Sequence, residues 1–113
     1  MDTKSALVET FGENPLVKTI DFLLMYPNFD YSKSQVAKET GVSRITMEKI
    51  WKNLLKNEII IKTRETGRGD MCKLNVENPR VKVLMKFDFE LSSAAFDQDK
   101  ISVAFDRNRN LNK

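Results

Sequence analysis

Residues 32–46, SKSQVAKETGVSRIT, are the stretch on which the fold turns. Ser32 and Gln35 stand at capping-box spacing: a hydroxyl accepts from a free amide of the first turn, and a side chain three residues on reaches back. The helix opened there carries Val36 and Ala37 inward and stops at Thr40-Gly41, where glycine supplies the left-handed exit. Only Gly41, Val42 and Ser43 intervene before Ser43 caps a longer helix from Arg44 to about Lys56. Met47, Ile50, Trp51, Leu54 and Leu55 recur in it at the spacing of a helix lying on a core. Two helices joined by so short a turn cross closely, and a side chain larger than Ala37 would push them apart.

Working outward, Asn14-Pro15 starts an earlier helix, with Asn as cap and Pro at the first helical position. Leu16, Ile20, Leu23 and Leu24 form its expected core stripe, and Pro27 ends it. Residues 1–13 have little periodicity and read as a loosely held arm with a short helix around Ala6 to Phe11. On the other side, Ile59 to Thr66 alternates and is β-branched, Gly67-Arg68-Gly69-Asp70 reads as a turn, and Met71 to Val76 alternates again. That pattern is a β-hairpin with Cys72, Leu74 and Val76 on one side.

Glu77-Asn78-Pro79-Arg80-Val81-Lys82 repeats Glu13-Asn14-Pro15-Leu16-Val17-Lys18 in five of six residues and reads as another helix start. Residues 79–96 also alternate as a strand would, at Val81, Val83, Met85, Phe87, Phe89 and Leu91. The Asn-Pro start and the Ala-containing continuation favour helix. Residues 97–113 thin into a flexible polar tail. Phe-Asp recurs at Phe87, Phe96 and Phe105, nine residues apart, which is no helical or strand repeat. The expected class is mainly α with a small β-hairpin (α+β).

The chain has 113 residues, one domain's worth, with 41% hydrophobic and 31% charged residues. Its longest apolar run, Phe22 to Tyr26, falls far short of the roughly 18 residues that span a bilayer. The first ten residues do not read as a secretion signal, and the single cysteine, Cys72, has no internal partner, so a cytoplasmic protein is expected. With no histidine, the commonest general base and metal ligand are missing, and neither a metal, a cofactor nor an enzymatic activity is expected. The net charge of +3 hides an asymmetry. Residues 1–30 carry −3, residues 31–82 carry twelve Lys or Arg against six acids, and residues 83–113 balance. A basic middle attracts polyanions, nucleic acid above all, although a solvated lysine-rich face has the same composition.

Two short-linked helices with glycine at the turn, the second longer, form a helix-turn-helix. With the preceding helix and the hairpin after it, residues 14–78 form the expected DNA-binding domain, and roughly Pro15 to Val76, about half the chain, resembles the winged helix-turn-helix family, in particular the small MarR-like and ArsR-like transcription regulators of archaea and bacteria. The residues that carry the resemblance are Val36, Ala37, Gly41, Val42, Met47 and Ile50. It implies a winged helix-turn-helix with an additional C-terminal helix, and a protein that binds double-stranded DNA without chemistry.

The resemblance places the start of the helix from Arg44 in the major groove. At about 100° per residue, Ile45, Lys49, Lys52 and Lys56 point away from Met47 together. Arg44 suits a guanine edge, Ile45 a thymine methyl, and Thr46 a base or phosphate; Lys49 and Lys52 reach bases or phosphates. Ile45 has an equal alternative, packed against the preceding helix. Ser43 with the helix-start amides, and Ser32, Lys33 and Ser34, are candidates for the DNA backbone. In the hairpin, Arg64, Arg68 and Lys73 are expected around Gly67 and Gly69, forming a wing whose Arg68 suits a narrow minor groove. Trp51 and Cys72 read as core.

Val81, Leu84, Met85, Phe87 and Leu91 on the C-terminal helix of residues 79–96 form the expected dimer interface, because the family buries such a helix against a second copy; packing onto the helix from Pro15 is the alternative. The expected function is a sequence-specific DNA-binding transcription regulator acting as a homodimer by site occupancy. The rivals are a winged-helix adaptor that docks transcription or replication proteins, and a plasmid or viral DNA-organising protein.

Overall fold

The structure, a computed structural model, describes residues 4–96. The tail expected over residues 97–113, and with it Asp97 and the pair Phe105-Asp106, lies outside the described residues. The elements are α1 (Ala6–Phe11), α2 (Pro15–Met25), β1 (Tyr31–Ser32), α3 (Lys33–Thr40), α4 (Arg44–Lys56), β2 (Ile60–Thr66), β3 (Gly69–Leu74) and α5 (Pro79–Phe96). The helix starts follow local chemistry. Asn14 accepts from the Val17 amide at 3.0 Å and Ser43 from the Thr46 amide at 3.2 Å. Ser32 accepts from the Gln35 amide at 3.1 Å while Gln35 Oε1 accepts from the Ser32 amide at 2.8 Å, the full reciprocal box. Gly41 ends α3 at φ +73°, in the left-handed region the sequence required.

The three strands form one antiparallel sheet in the order β1-β3-β2. Its third member was not expected. Tyr31 and Ser32 pair with Cys72 and Met71, so Ser32 closes the sheet edge and caps α3 at once. The core joins Leu23 of α2, Val36 of α3, Met47, Trp51 and Leu54 of α4, and Ile60, Cys72 and Leu74 of the hairpin. Trp51 and Cys72 are core, as expected, and burial pushes the Cys72 thiol up, which disfavours the reactive thiolate.

Several expectations need correction. The short helix expected at Ala6 to Phe11 is α1, capped by Ser5, but the arm is not loosely held: Leu7 and Val8 are buried and the helix packs on α5 and α2. Leu16 is 48% exposed; Val17 packs against the core instead, and Thr19 is the first fully buried residue of α2, its hydroxyl donating to the Pro15 carbonyl and so entering the core satisfied. Leu55 lies on the rim. Residues 79–96 are helical, and Val81 is fully buried within the single chain, with Leu84, Met85 and Leu91 packed against the same core. These four residues therefore serve the monomer, and the neighbour of α5 is α1 more than α2. Of the expected interface set, Phe87 alone counts as exposed; its ring meets Phe11 at 6.1 Å between centroids.

The C-terminal helix is tied to the end of α4. Glu58, the one described non-glycine residue at positive φ (54°), turns the chain from α4 into β2. Its carbonyl accepts from Asn75 Nδ2 at 3.0 Å and from Asn78 Nδ2 at 2.9 Å. Asn78 Oδ1 meanwhile accepts from the Arg80 amide at 2.9 Å at the start of α5. No described helix is long and apolar enough to cross a membrane.

Candidate nucleic-acid interface

The candidate surface is built on α4, whose position is set by Met47, Trp51 and Leu54 entering the core. That leaves Ile45, Lys49, Lys52 and Lys56 in one outward stripe about 60° wide, at roughly 100° per residue. All four are exposed, as are Arg44 and Ser43 at the start of the helix, whereas Thr46 is half-buried. Ser43 Oγ donates to Thr46 Oγ1 at 3.0 Å, so the two hydroxyls act as one polar unit. Among the described residues no carboxylate pairs with Arg44, Lys49, Lys52, Lys56 or Arg68. The stripe is therefore a cationic surface whose charge is unspent. Ile45, at 76% exposed, does not pack against α3.

Beside α4 stands the hairpin. Thr66 pairs with Gly69 across a two-residue loop, Gly67-Arg68, and Gly69 takes φ +106°, which glycine alone adopts readily. Thr66 Oγ1 accepts from the Arg68 amide at 3.1 Å and donates to the Gly69 carbonyl at 3.2 Å, pinning the tip. A cleft of about 600 Å³ separates hairpin from helix, lined among others by Glu48, Trp51, Lys52, Lys62 and Arg68. Lys52 and Arg68, sixteen residues apart in sequence, thus line the same concavity.

The structure separates the other expected cations from this surface. Arg64 is held by Asp30, with Nε to Oδ2 at 2.9 Å and Nη2 to Oδ1 at 3.2 Å, and Thr63 Oγ1 donates to the same carboxylate at 2.5 Å. A bulge makes this possible: Lys62 pairs with Cys72 but Arg64 with Met71, leaving Thr63 as the extra residue. Lys73 is half-buried opposite Ile61, at the base of the hairpin. Arg68 is thus the one expected wing cation at the tip. Lys33 is paired with Glu48 of α4, and Ser32, 3% exposed, has its hydroxyl committed to the cap. Of the three expected backbone residues, Ser34 stays exposed and uncommitted to any described hydrogen bond.

Sequence reasoning missed Asp30 and Glu48. The Asp30–Arg64 clasp links positions 34 residues apart, so no local spacing announces it. Glu48 lies beside the cationic stripe, and its pairing with Lys33 joins α3 to α4 across their crossing.

The Arg64 guanidinium and the Thr63 hydroxyl push the Asp30 carboxyl down to about 2. A carboxyl held below its ordinary value adds stability above the unfolded pKa and loses it as pH falls through the folded one. The clasp should therefore weaken between about pH 4 and pH 2. Acid titration followed by circular dichroism should show a stability loss in that window that is smaller in Asp30→Asn, because the variant has no carboxylate to protonate.

Neither a family model nor a curated protein sequence matches the chain. A solved structure does: the PcaV transcriptional regulator from Streptomyces coelicolor, in complex with its natural ligand, is similar at a TM-score of 0.50 and 23% identity, over 93% of this chain and 80% of that one. The fold is a winged helix-turn-helix. In its terms α3 and α4 are the helix-turn-helix, the β2–β3 hairpin is the wing, and α5 is an additional C-terminal helix. At that identity the likeness speaks for architecture alone.

Proposed function

We propose that the protein is a transcription regulator of the MarR-like and ArsR-like kind that binds double-stranded DNA in a sequence-specific manner and acts by occupying its site. The observation that carries the reading is the unpaired cationic stripe of α4 standing next to Arg68 of the wing, across one cleft. The width of an α-helix matches the major groove, and a wing tip of Gly67, Arg68 and Gly69 is narrow enough to follow the backbone or enter the minor groove. In this reading Arg44 contacts a base edge, Lys49 and Lys52 contact bases or phosphates, and Ser34, Ser43 and Thr46 position the backbone. Arg64, Lys33 and Ser32 hold the fold.

A homodimer is part of the proposal. Its proposed contact surface centres on the exposed Val83 and Phe87, one turn apart on α5, with the tilted ring of Phe11 6.1 Å from that of Phe87. Two protomers double the phosphate contacts and match two half-sites a helical turn apart.

Selection of bound duplexes from a random pool tests the proposal. A palindromic winner is expected. If each protomer neutralises about four phosphates, the dimer's log affinity falls with log salt at a slope of roughly −7. Arg44→Ala should lose about 1–3 kcal/mol at one base position and relax specificity there, whereas Arg68→Ala should weaken all duplexes alike. Equal loss on selected and random duplexes for Arg44→Ala would remove its base-reading role.

A second reading, an adaptor docking another protein, is favoured by the exposed Met25, Tyr26 and Phe29 at the end of α2 and the turn after it. An adaptor alone gives no salt-sensitive shift of random duplex.

A further inference from the structure

Ile45 is the most exposed large apolar side chain among the described residues, at 76%. Single surface apolar residues are ordinary, so exposure by itself decides nothing. Its setting is less ordinary. It occupies the first turn of α4, with Arg44 exposed on one side and Lys49 and Lys52 above it on the same stripe, and it is the only apolar member of that stripe. A branched side chain in solvent also disfavours the helix relative to alanine, which gains nothing from water there either. An apolar group on a stripe of otherwise unpaired cations fits a partner that is anionic overall and apolar at one point. In a duplex major groove the only apolar group on a base edge is the C5 methyl of thymine.

We infer that Ile45 is a specificity-determining residue that reads the 5-methyl group of one thymine in each half-site. The inference rests on the DNA-binding reading above and adds to it a base identity that hydrogen bonding alone does not supply. The cations anchor the helix on the phosphates, and the isoleucine side chain then excludes water from the methyl. A pyrimidine lacking that methyl leaves the side chain against an unfilled space.

The experiment uses the full chain and the duplex that wins selection, with its thymines replaced by deoxyuridine one symmetric pair at a time, a change that removes the methyl and keeps the Watson–Crick edge. Wild-type binding should weaken about fourfold per half-site at one pair, the worth of roughly one buried methyl, and stay level at the others. Ile45→Ala should bind the thymine duplex more weakly and be indifferent to deoxyuridine at that pair, while Ile45→Val keeps part of the preference. Thermal melting confirms that the variants are folded. Wild-type binding that ignores every replacement overturns the inference and leaves the DNA-binding reading standing. A deoxyuridine penalty that survives in Ile45→Ala assigns the methyl to another residue and overturns it equally. Absence of any duplex binding by the wild-type chain removes the underlying reading and the inference with it.

Discussion

Lys49→Glu combined with Lys52→Glu should weaken duplex binding about a thousandfold at ~0.15 M salt if the protein binds as a dimer. The estimate follows from counterion release. Each phosphate contact contributes a salt exponent of about 0.9, so four lost contacts, two per protomer, remove about three decades at that salt. The introduced carboxylates then repel the backbone and add to the loss. Both positions are exposed and outside the core, so the folded state should be unaffected. Fluorescence anisotropy at several salt concentrations checks the result, because the slope should flatten as the affinity drops. A loss of less than tenfold with an unchanged slope would mean that this face of α4 does not meet the duplex.

Met47→Ala should have the largest effect on stability. Met47 is completely buried, and with Ala37 it lines the seam between α3 and α4. Truncation there leaves a cavity between two helices joined by a short turn, and a cost of about 2–5 kcal/mol is expected. That is a large part of the roughly 5–15 kcal/mol available to a domain. The thermal midpoint should fall by about 10–20 °C. Leu16→Ala makes the matched control: the sequence pattern put Leu16 in the core, but it is half exposed and its truncation should cost well under the Met47 value. Denaturant melts of the two variants distinguish a core pinned at the α3–α4 crossing from one pinned at the start of α2.

The helix-turn-helix was legible because its signals are local. A capping box, a left-handed glycine and a second cap act over three or four residues, and each is visible without knowing what lies across the core. The outward stripe of α4 followed from the same periodicity that put Met47 and Trp51 inside. What escaped were relations between distant segments. Tyr31 and Ser32 are too few to announce a strand, and they become one only because Met71 and Cys72 lie alongside. Arg64 looked like a wing cation until Asp30, far away in sequence, took its guanidinium. Val81 belongs to a run of apolar residues that alternates as well as it coils, and nothing within the run says which side meets the body of the chain. Four of the side chains expected at a dimer surface, Val81, Leu84, Met85 and Leu91, pack on the chain's own core for that reason.

The amides of Asn75 and Asn78 meet on the carbonyl of Glu58, and Asn78 also starts α5. The helix proposed for self-association is thus riveted to the trailing end of the helix proposed for reading bases. In the proposed dimer, a twist of one copy against the other would arrive at the groove as a tilt, coupling operator spacing to subunit geometry.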